Sequence, residues 1–228
     1  MMMQLDYKMI IFDMAGTTVD ENNVVYKTLQ KTINEAGIIC SLQKVLILGA
    51  GKEKKVALID ILSSLNFTLN NEEVEKLFKN FKSNLEAAYD NLDIFSQPNS
   101  LNIFKFFRSK NCKVVLNTGY DKNTALKLLN KLQWKVGEEI DEVITASDVK
   151  NARPNPDMIQ LAMNKFNIEN PKSVIKVGDS IIDIEEGKNA NCGLTIGITT
   201  GAHTQQQLLS ANPDFIINNL IELQQLTL

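Results

Sequence analysis

The stretch YKMIIFDMAGTTVD, residues 7–20, decides the fold of this chain. Its apolar run ends in Asp13, and Gly16 follows three residues later, so it reads as a buried strand closing in a sharp turn. Four more apolar runs, 113–117, 142–145, 173–177 and 194–198, repeat the strand at 8–13, with a weaker one at 214–217. Helical patterns lie between the later runs. Asp121 can cap a helix reaching Trp134, whose side chain suits core packing. Asn155 with Pro156 opens another helix through Phe166, since proline in the first turn loses no needed N–H. Alternation of apolar strands with helices predicts an α/β fold: a doubly wound, Rossmann-like parallel sheet covered on both faces.

Residues 20–92 break that alternation. Their apolar residues recur at three and four, as in Val56, Ile59, Leu62 and Leu65, or Val74, Leu77, Phe78 and Phe81. This predicts a helical domain, 20–92, inserted into a core made of 1–19 and 93–228. The stripes read as the core of a helix bundle. An insert over the carboxyl ends of a parallel sheet lies where such folds bind ligands.

The 228 residues are 44% hydrophobic, enough for a sizeable core, and a net charge of −3 gives no reason to expect nucleic acid or an anionic membrane as partner. Cys40, Cys112 and Cys192 show no C-x-x-C spacing, which argues against a disulfide framework or zinc site and fits a reducing cytoplasm. The start, MMMQLDYKMIIFD, lacks a basic leader, and no run approaches the ~20 apolar residues of a membrane span.

Four pieces fall at predicted strand ends: Asp13 to Thr18, Asn117-Thr118-Gly119-Tyr120, Arg153-Pro154, and Gly178 to Asp183. A parallel sheet gathers such ends on one rim, so Asp13, Asp179 and Asp183 should converge. Three crowded carboxylates repel one another unless a cation sits among them, and hard oxygen ligands suit Mg²⁺. Arg153 adds a fixed positive charge and Thr118 a hydroxyl. Gly16 and Gly119 are expected to leave backbone N–H groups open to an anion. Metal, cation, amide cradle and carboxylate nucleophile outline a phosphoryl-transfer site for a small phosphorylated or phosphonate substrate.

This ordered set resembles the haloacid dehalogenase superfamily with a helical cap after the first motif, over essentially the whole chain. More narrowly, DMAGTTVD, NTGY, ARPNP and KVGDSIIDIEEGKNA resemble the phosphonatase (phosphonoacetaldehyde hydrolase) subfamily. In that subfamily alanine replaces the second aspartate of the first motif, and arginine replaces the more common lysine. The resemblance implies Asp13 as nucleophile, with Asp13, the Ala15 carbonyl and Asp179 holding Mg²⁺ and Asp183 supporting it. It implies that Thr118, Gly119 and Arg153 bind the phosphoryl group, and it suggests a homodimer through the cap.

The alanine has a chemical logic. A placed general acid is worth ~10²–10⁴ in rate to a phosphatase, and Ala15 cannot supply one. Carbon–phosphorus cleavage needs an electron sink instead, and a lysine condensed with an aldehyde provides it. In LGAGKEKKVALIDIL, the resemblance points to Lys52, three residues after Gly49, as the imine-forming lysine. A solvated lysine cluster at a helix start is the other reading of Lys52, Lys54 and Lys55. At Leu48 the family has methionine, and at Lys55 it has histidine. Both departures lie where a cap reads its substrate. His203, the only histidine, faces the site or caps a following helix. The expected reaction is Mg²⁺-dependent cleavage of phosphonoacetaldehyde to acetaldehyde and phosphate. The rivals are a phosphatase, or a hydrolase of another phosphonate, on the same core, and a non-catalytic relative that keeps only the fold.

Overall fold

The computed structural model describes residues 7–226; residues 1–6, where the leader was read as missing and the core begins, and residues 227–228 lie outside it. In chain order the elements are β1 (Met9–Asp13), β2 (Val19–Asp20), α1 (Val24–Glu35), α2 (Leu42–Gly49), α3 (Lys54–Ser64), α4 (Asn71–Asn91), β3 (Phe95–Ser96), α5 (Ser100–Ser109), β4 (Lys113–Thr118), α6 (Lys122–Leu132), β5 (Glu142–Thr145), α7 (Asp157–Lys165), β6 (Val174–Gly178), α8 (Ile181–Asn189), β7 (Leu194–Ile198), α9 (Gln205–Ser210), β8 (Phe215–Ile217) and α10 (Leu223–Leu226).

All five residues of β1 are buried, as a strand covered on both faces requires. The sheet order is β5-β4-β1-β6-β7-β8, and every neighbouring pair is parallel. The chain steps outward from β1 to β4 and β5, then returns to β6 on the other side. That reversal opens the crevice beyond the carboxyl end of β1, where doubly wound sheets bind ligands. Register sets Asp13 beside Asn117 and Phe12 beside both Leu116 and Val177, which aligns the ends of β4, β1 and β6 on one rim. On one face Phe12 packs against Phe104, which meets the edge of Trp134 at a centroid distance of 5.1 Å. On the other face Met9, Ile11, Val115 and Ile144 pack against Met158, Ile159 and Ala162 of α7.

The chain enters and leaves helices α1–α4 through a short antiparallel pair, Val19 with Ser96 and Asp20 with Phe95. In α4, Val74, Leu77 and Phe81 are buried as expected, and Phe78 lies at the margin. In α3 the expected stripe is rotated: Val56 and Ile59 are exposed, and Lys54, Ala57, Leu58, Ile61 and Leu62 are buried. The run VALIDIL is apolar nearly all round, so packing on α2 and α4 selects the face. Two helix ends also differ. α6 stops at Leu132 because Gln133 adopts a left-handed conformation (φ 58°), which leaves buried Trp134 beyond the helix. Pro156 is the cap preceding α7 rather than its first residue. Cys40, Cys112 and Cys192 are buried and joined by no disulfide among the described residues, where no helix is long and apolar enough to cross a membrane either.

Candidate active site

The turn after β1 is fixed by its own backbone. The N–H groups of Thr18 and Val19 donate to the Met14 carbonyl, and Thr18 Oγ1 donates to the Asp13 carbonyl at 2.9 Å. Gly16 has a φ of 84°, and a Cβ there would collide with Asp179 Oδ2. Its N–H, expected to face an anion, instead donates to Val19 O at 2.9 Å, because closing the turn consumes it. Beside it, Thr17 Oγ1 is buried without a hydrogen-bond partner, an orphaned polar group at the rim.

The three aspartates do converge: Asp13, Asp179 and Asp183 are buried, with one ligand atom of each within 4.8 Å of the others. Arg153, followed by a cis peptide to Pro154, reaches into them. Its Nη1 lies 2.7 Å from Asp13 Oδ1 and 3.0 Å from Asp183 Oδ1. Its Nε donates to Glu186 Oε2 at 2.9 Å, and its Nη2 donates to the Asn117 carbonyl at 2.8 Å. Lys176 lies in the same network, 2.9 Å from Asp183 and 2.7 Å from Asn117 Oδ1. Asn117 Nδ2 in turn donates to both carboxylate oxygens of Glu186.

Electrostatics divide this cluster. Burial, reinforced by Asp183, raises Asp13 to about 6. Burial, with Asp13 and Asp183 beside it, pushes Asp179 well above the ordinary carboxylate range. Burial opposes ionisation of Asp183 too, but Arg153 and Lys176 overcome it and hold its carboxyl low. Arg153 stays charged against its burial through Asp183, Glu186 and Asp13. When all four are ionised, Asp13, Asp179, Asp183 and Glu186 carry two more negative charges than Arg153 and Lys176 can balance, and burial together with that excess raises Asp13 and Asp179. A divalent cation with hard oxygen ligands fits both that imbalance and the donor set, so Asp13, Asp179 and Asp183 suit Mg²⁺. Asp179 is positioned for it by the Ala202 N–H at 2.6 Å, and a Cβ on Gly201 would strike its carboxylate.

The end of β4 supplies Thr118, buried, with Oγ1 accepting from the Tyr120 N–H at 3.2 Å. Gly119 lies against the inserted helices: a Cβ there would stand 2.5 Å from the Lys52 carbonyl. Arg153 Nη1 also approaches the Gly51 carbonyl at 3.5 Å. The loop between α2 and α3 therefore closes directly over the rim. Its three lysines separate. Lys52 Nζ pairs with Asp60 Oδ2 at 2.6 Å, and Lys55 pairs with Glu75. Lys54 is buried. His203 is buried and caps α8: the Ile181 N–H donates to its Nδ1 at 3.0 Å, which puts the ring hydrogen on Nε2, 3.3 Å from the Leu46 carbonyl. Burial lowers its pKa. His203 thus ties the core to α2.

Lys176 and Glu186 were missed by pattern reading, and Asn117 and Lys54 were named without a site role of their own. A lysine inside the apolar run VIKVG was a signal that β6 carried a buried charge. Nothing in the sequence separates Glu186 from its exposed-looking neighbour Glu185. Lys54 was passed over because it lies two residues beyond Lys52, the lysine that the resemblance selected.

Among known proteins, the haloacid dehalogenase-like hydrolases match residues 7–191. A phosphonoacetaldehyde hydrolase of Latilactobacillus sakei is 27% identical, the match covering 96% of this chain and 94% of the relative. A pyrophosphatase, PpaX, of Oceanobacillus iheyensis is 23% identical over 95% of this chain and 94% of its own. The crystal structure of a phosphonoacetaldehyde hydrolase-like protein from Oleispira antarctica superposes with a TM-score of 0.85 at 21% identity, covering 97% of this chain and 91% of that one.

Proposed function

The chain belongs to the haloacid dehalogenase-like hydrolases, and from that premise we propose that it is a Mg²⁺-dependent phosphonatase-like enzyme that cleaves the carbon–phosphorus bond of phosphonoacetaldehyde. The observation that carries this reading is the pairing of Asp13 with Arg153 at 2.7 Å while Ala15 stands two residues on. The set provides a nucleophile and a phosphoryl clamp but no general acid at the usual place. Relatives named phosphonoacetaldehyde hydrolase support it further.

In this reading Arg153 orients the Asp13 carboxylate and, with Thr118 and Gly119, receives the phosphoryl oxygens. A carboxylate oxygen of Asp13 attacks phosphorus, the bond to carbon breaks, and the electron pair leaves with the carbon. Water then hydrolyses the aspartyl phosphate and restores Asp13. When bound by Asp13, Asp179, Asp183 and the Ala15 carbonyl, Mg²⁺ neutralises phosphoryl charge. Lys176 and Glu186 hold Asp183 and Arg153 in place. The carbon leaving group requires an electron sink, which a lysine of the loop preceding α3 would supply as an imine. The resemblance selects Lys52 for that role.

A second reading is a phosphatase acting on pyrophosphate or a related anhydride, favoured by relatives named PpaX. A phosphate leaving group needs little protonation, so Ala15 is compatible with it. Phosphate release from phosphonoacetaldehyde and from pyrophosphate, both with Mg²⁺, separates the two. Release from the phosphonate that vanishes in Asp13→Asn supports the first reading. Release from pyrophosphate alone overturns it in favour of the second.

A further inference from the structure

The three lysines of GKEKK differ in where α3 places them. The helix begins at Lys54, and its buried face is Lys54, Ala57, Leu58, Ile61 and Leu62. Lys54 is thus the first rung of the face turned toward the core, and Lys55 points away to Glu75. Lys52 precedes the helix, and its Nζ is engaged by Asp60. Lys54 Nζ donates to the Lys52 carbonyl at 2.6 Å, and among the described residues it pairs with no carboxylate. It stands between two aromatic faces, 5.4 Å from the Tyr26 centroid and 5.6 Å from that of Tyr120. Tyr120 belongs to the β4 loop that carries Thr118 and Gly119. A cleft of about 600 Å³ between the inserted helices and the core is lined by Lys54, Gly119, Tyr120 and Tyr89, together with Lys82 and Lys127.

A lysine ammonium buried without a counter-ion is costly, and proteins rarely keep one without a use. We infer that Lys54, rather than Lys52, is the amine that condenses with the substrate carbonyl, where it lines this cleft. The inference rests on the carbon–phosphorus reading above. Burial lowers the Lys54 pKa, against the pull of Asp13, and so favours the neutral amine that attacks a carbonyl.

The chemistry balances. The Lys54 amine adds to the aldehyde carbon, water leaves, and the imine nitrogen takes a proton. Asp13 attacks phosphorus, and the carbon–phosphorus electron pair forms the C=C bond of an enamine as the C=N bond becomes single. The enamine carbon takes a proton, water adds to the resulting iminium, and acetaldehyde leaves with Lys54 restored. The two tyrosine faces favour the cationic iminium over the neutral imine.

The test is trapping. Full-length protein with Mg²⁺ is mixed with phosphonoacetaldehyde, reduced with borohydride, and mapped by peptide mass spectrometry. An N-ethyl group is expected on Lys54, with label and phosphate release both lost in Lys54→Arg, which keeps the charge and whose folding is checked by circular dichroism. Label on Lys52, with phosphate released, overturns the assignment and leaves carbon–phosphorus cleavage standing. Phosphate release without any label overturns it as well. No label and no phosphate, from protein that hydrolyses pyrophosphate, removes both the assignment and the reading beneath it.

Discussion

Arg153 Nη1 stands 2.7 Å from Asp13 Oδ1 across 140 residues of chain, and neither group is more than marginally exposed. The same guanidinium grips Glu186 and Asn117, so it serves as nucleophile clamp and core crosslink together. Arg153→Met should leave buried carboxylates without their cation and destabilise the protein by about 3–5 kcal/mol. Urea unfolding measures this. Arg153→Lys keeps a charge but not the fork of donors, so it should lose less stability and still lose most activity.

Mg²⁺ should stabilise the folded protein through the aspartate cluster. At a hundred times its Kd a ligand contributes about 2.7 kcal/mol, visible as a rise in melting temperature. Asp179→Asn should abolish that rise. It should also make the metal-free protein more stable than wild type, because it removes a buried carboxylate that Asp13 and Asp183 both repel. A melting curve with and without Mg²⁺ reads both effects.

Gly201→Ala should mimic part of that loss by steric means. The new Cβ would strike the Asp179 carboxylate and displace it from Asp13 and Asp183. The expected outcome is a folded protein whose melting temperature no longer responds to Mg²⁺.

Glu21 predicts a pH dependence. Its carboxyl accepts from Tyr89 Oη at 3.0 Å and from the Val25 N–H at 3.0 Å, and Tyr89 Oη lies 2.7 Å from Tyr120 Oη. Burial raises Glu21 to about 7. A raised carboxyl binds its proton more tightly folded than unfolded, so its contribution to stability is full at low pH. That contribution is lost as pH rises through the window from the ordinary Glu value to about 7. Glu21→Gln keeps an acceptor without the charge, and should gain on wild type by up to about 3 kcal/mol across this window. Unfolding free energies measured at acid, neutral and mildly alkaline pH give the slope.

Ala15→Asp places a carboxyl where phosphatases carry their acid. Hydrolysis of a phosphate ester with a poor leaving group should rise, by up to ~10²–10⁴, and carbon–phosphorus cleavage should fall. Paired assays on one ester and on phosphonoacetaldehyde check it.

The strands were legible because each is a short apolar run bounded by turn residues, and the site pieces were legible because they follow those runs directly. Asp13, Asp179 and Asp183 could be placed on one rim from the ends of their strands, whereas Arg153, expected at a strand end, lies eight residues past β5 and reaches the rim from its loop. The lysine loop could not be read this way. Lys52, Lys54 and Lys55 are chemically equal in sequence, and the adjacent VALIDIL run is apolar on several faces. Gly16 misled for a related reason: a glycine amide looks available until the turn that it closes is known.

The chain by itself determined the alternation of apolar strands and helices, the helical insertion after β1, and the acidic residues at strand ends, since these follow from local periodicity and short-range turn chemistry. Tertiary structure decided the rest. It chose the α3 face that buries Lys54 and assembled Asn117, Lys176 and Glu186 behind Arg153. The cluster behind Arg153 rests on contacts between residues 33 to 69 positions apart, which only packing of the chain into one structure can fix.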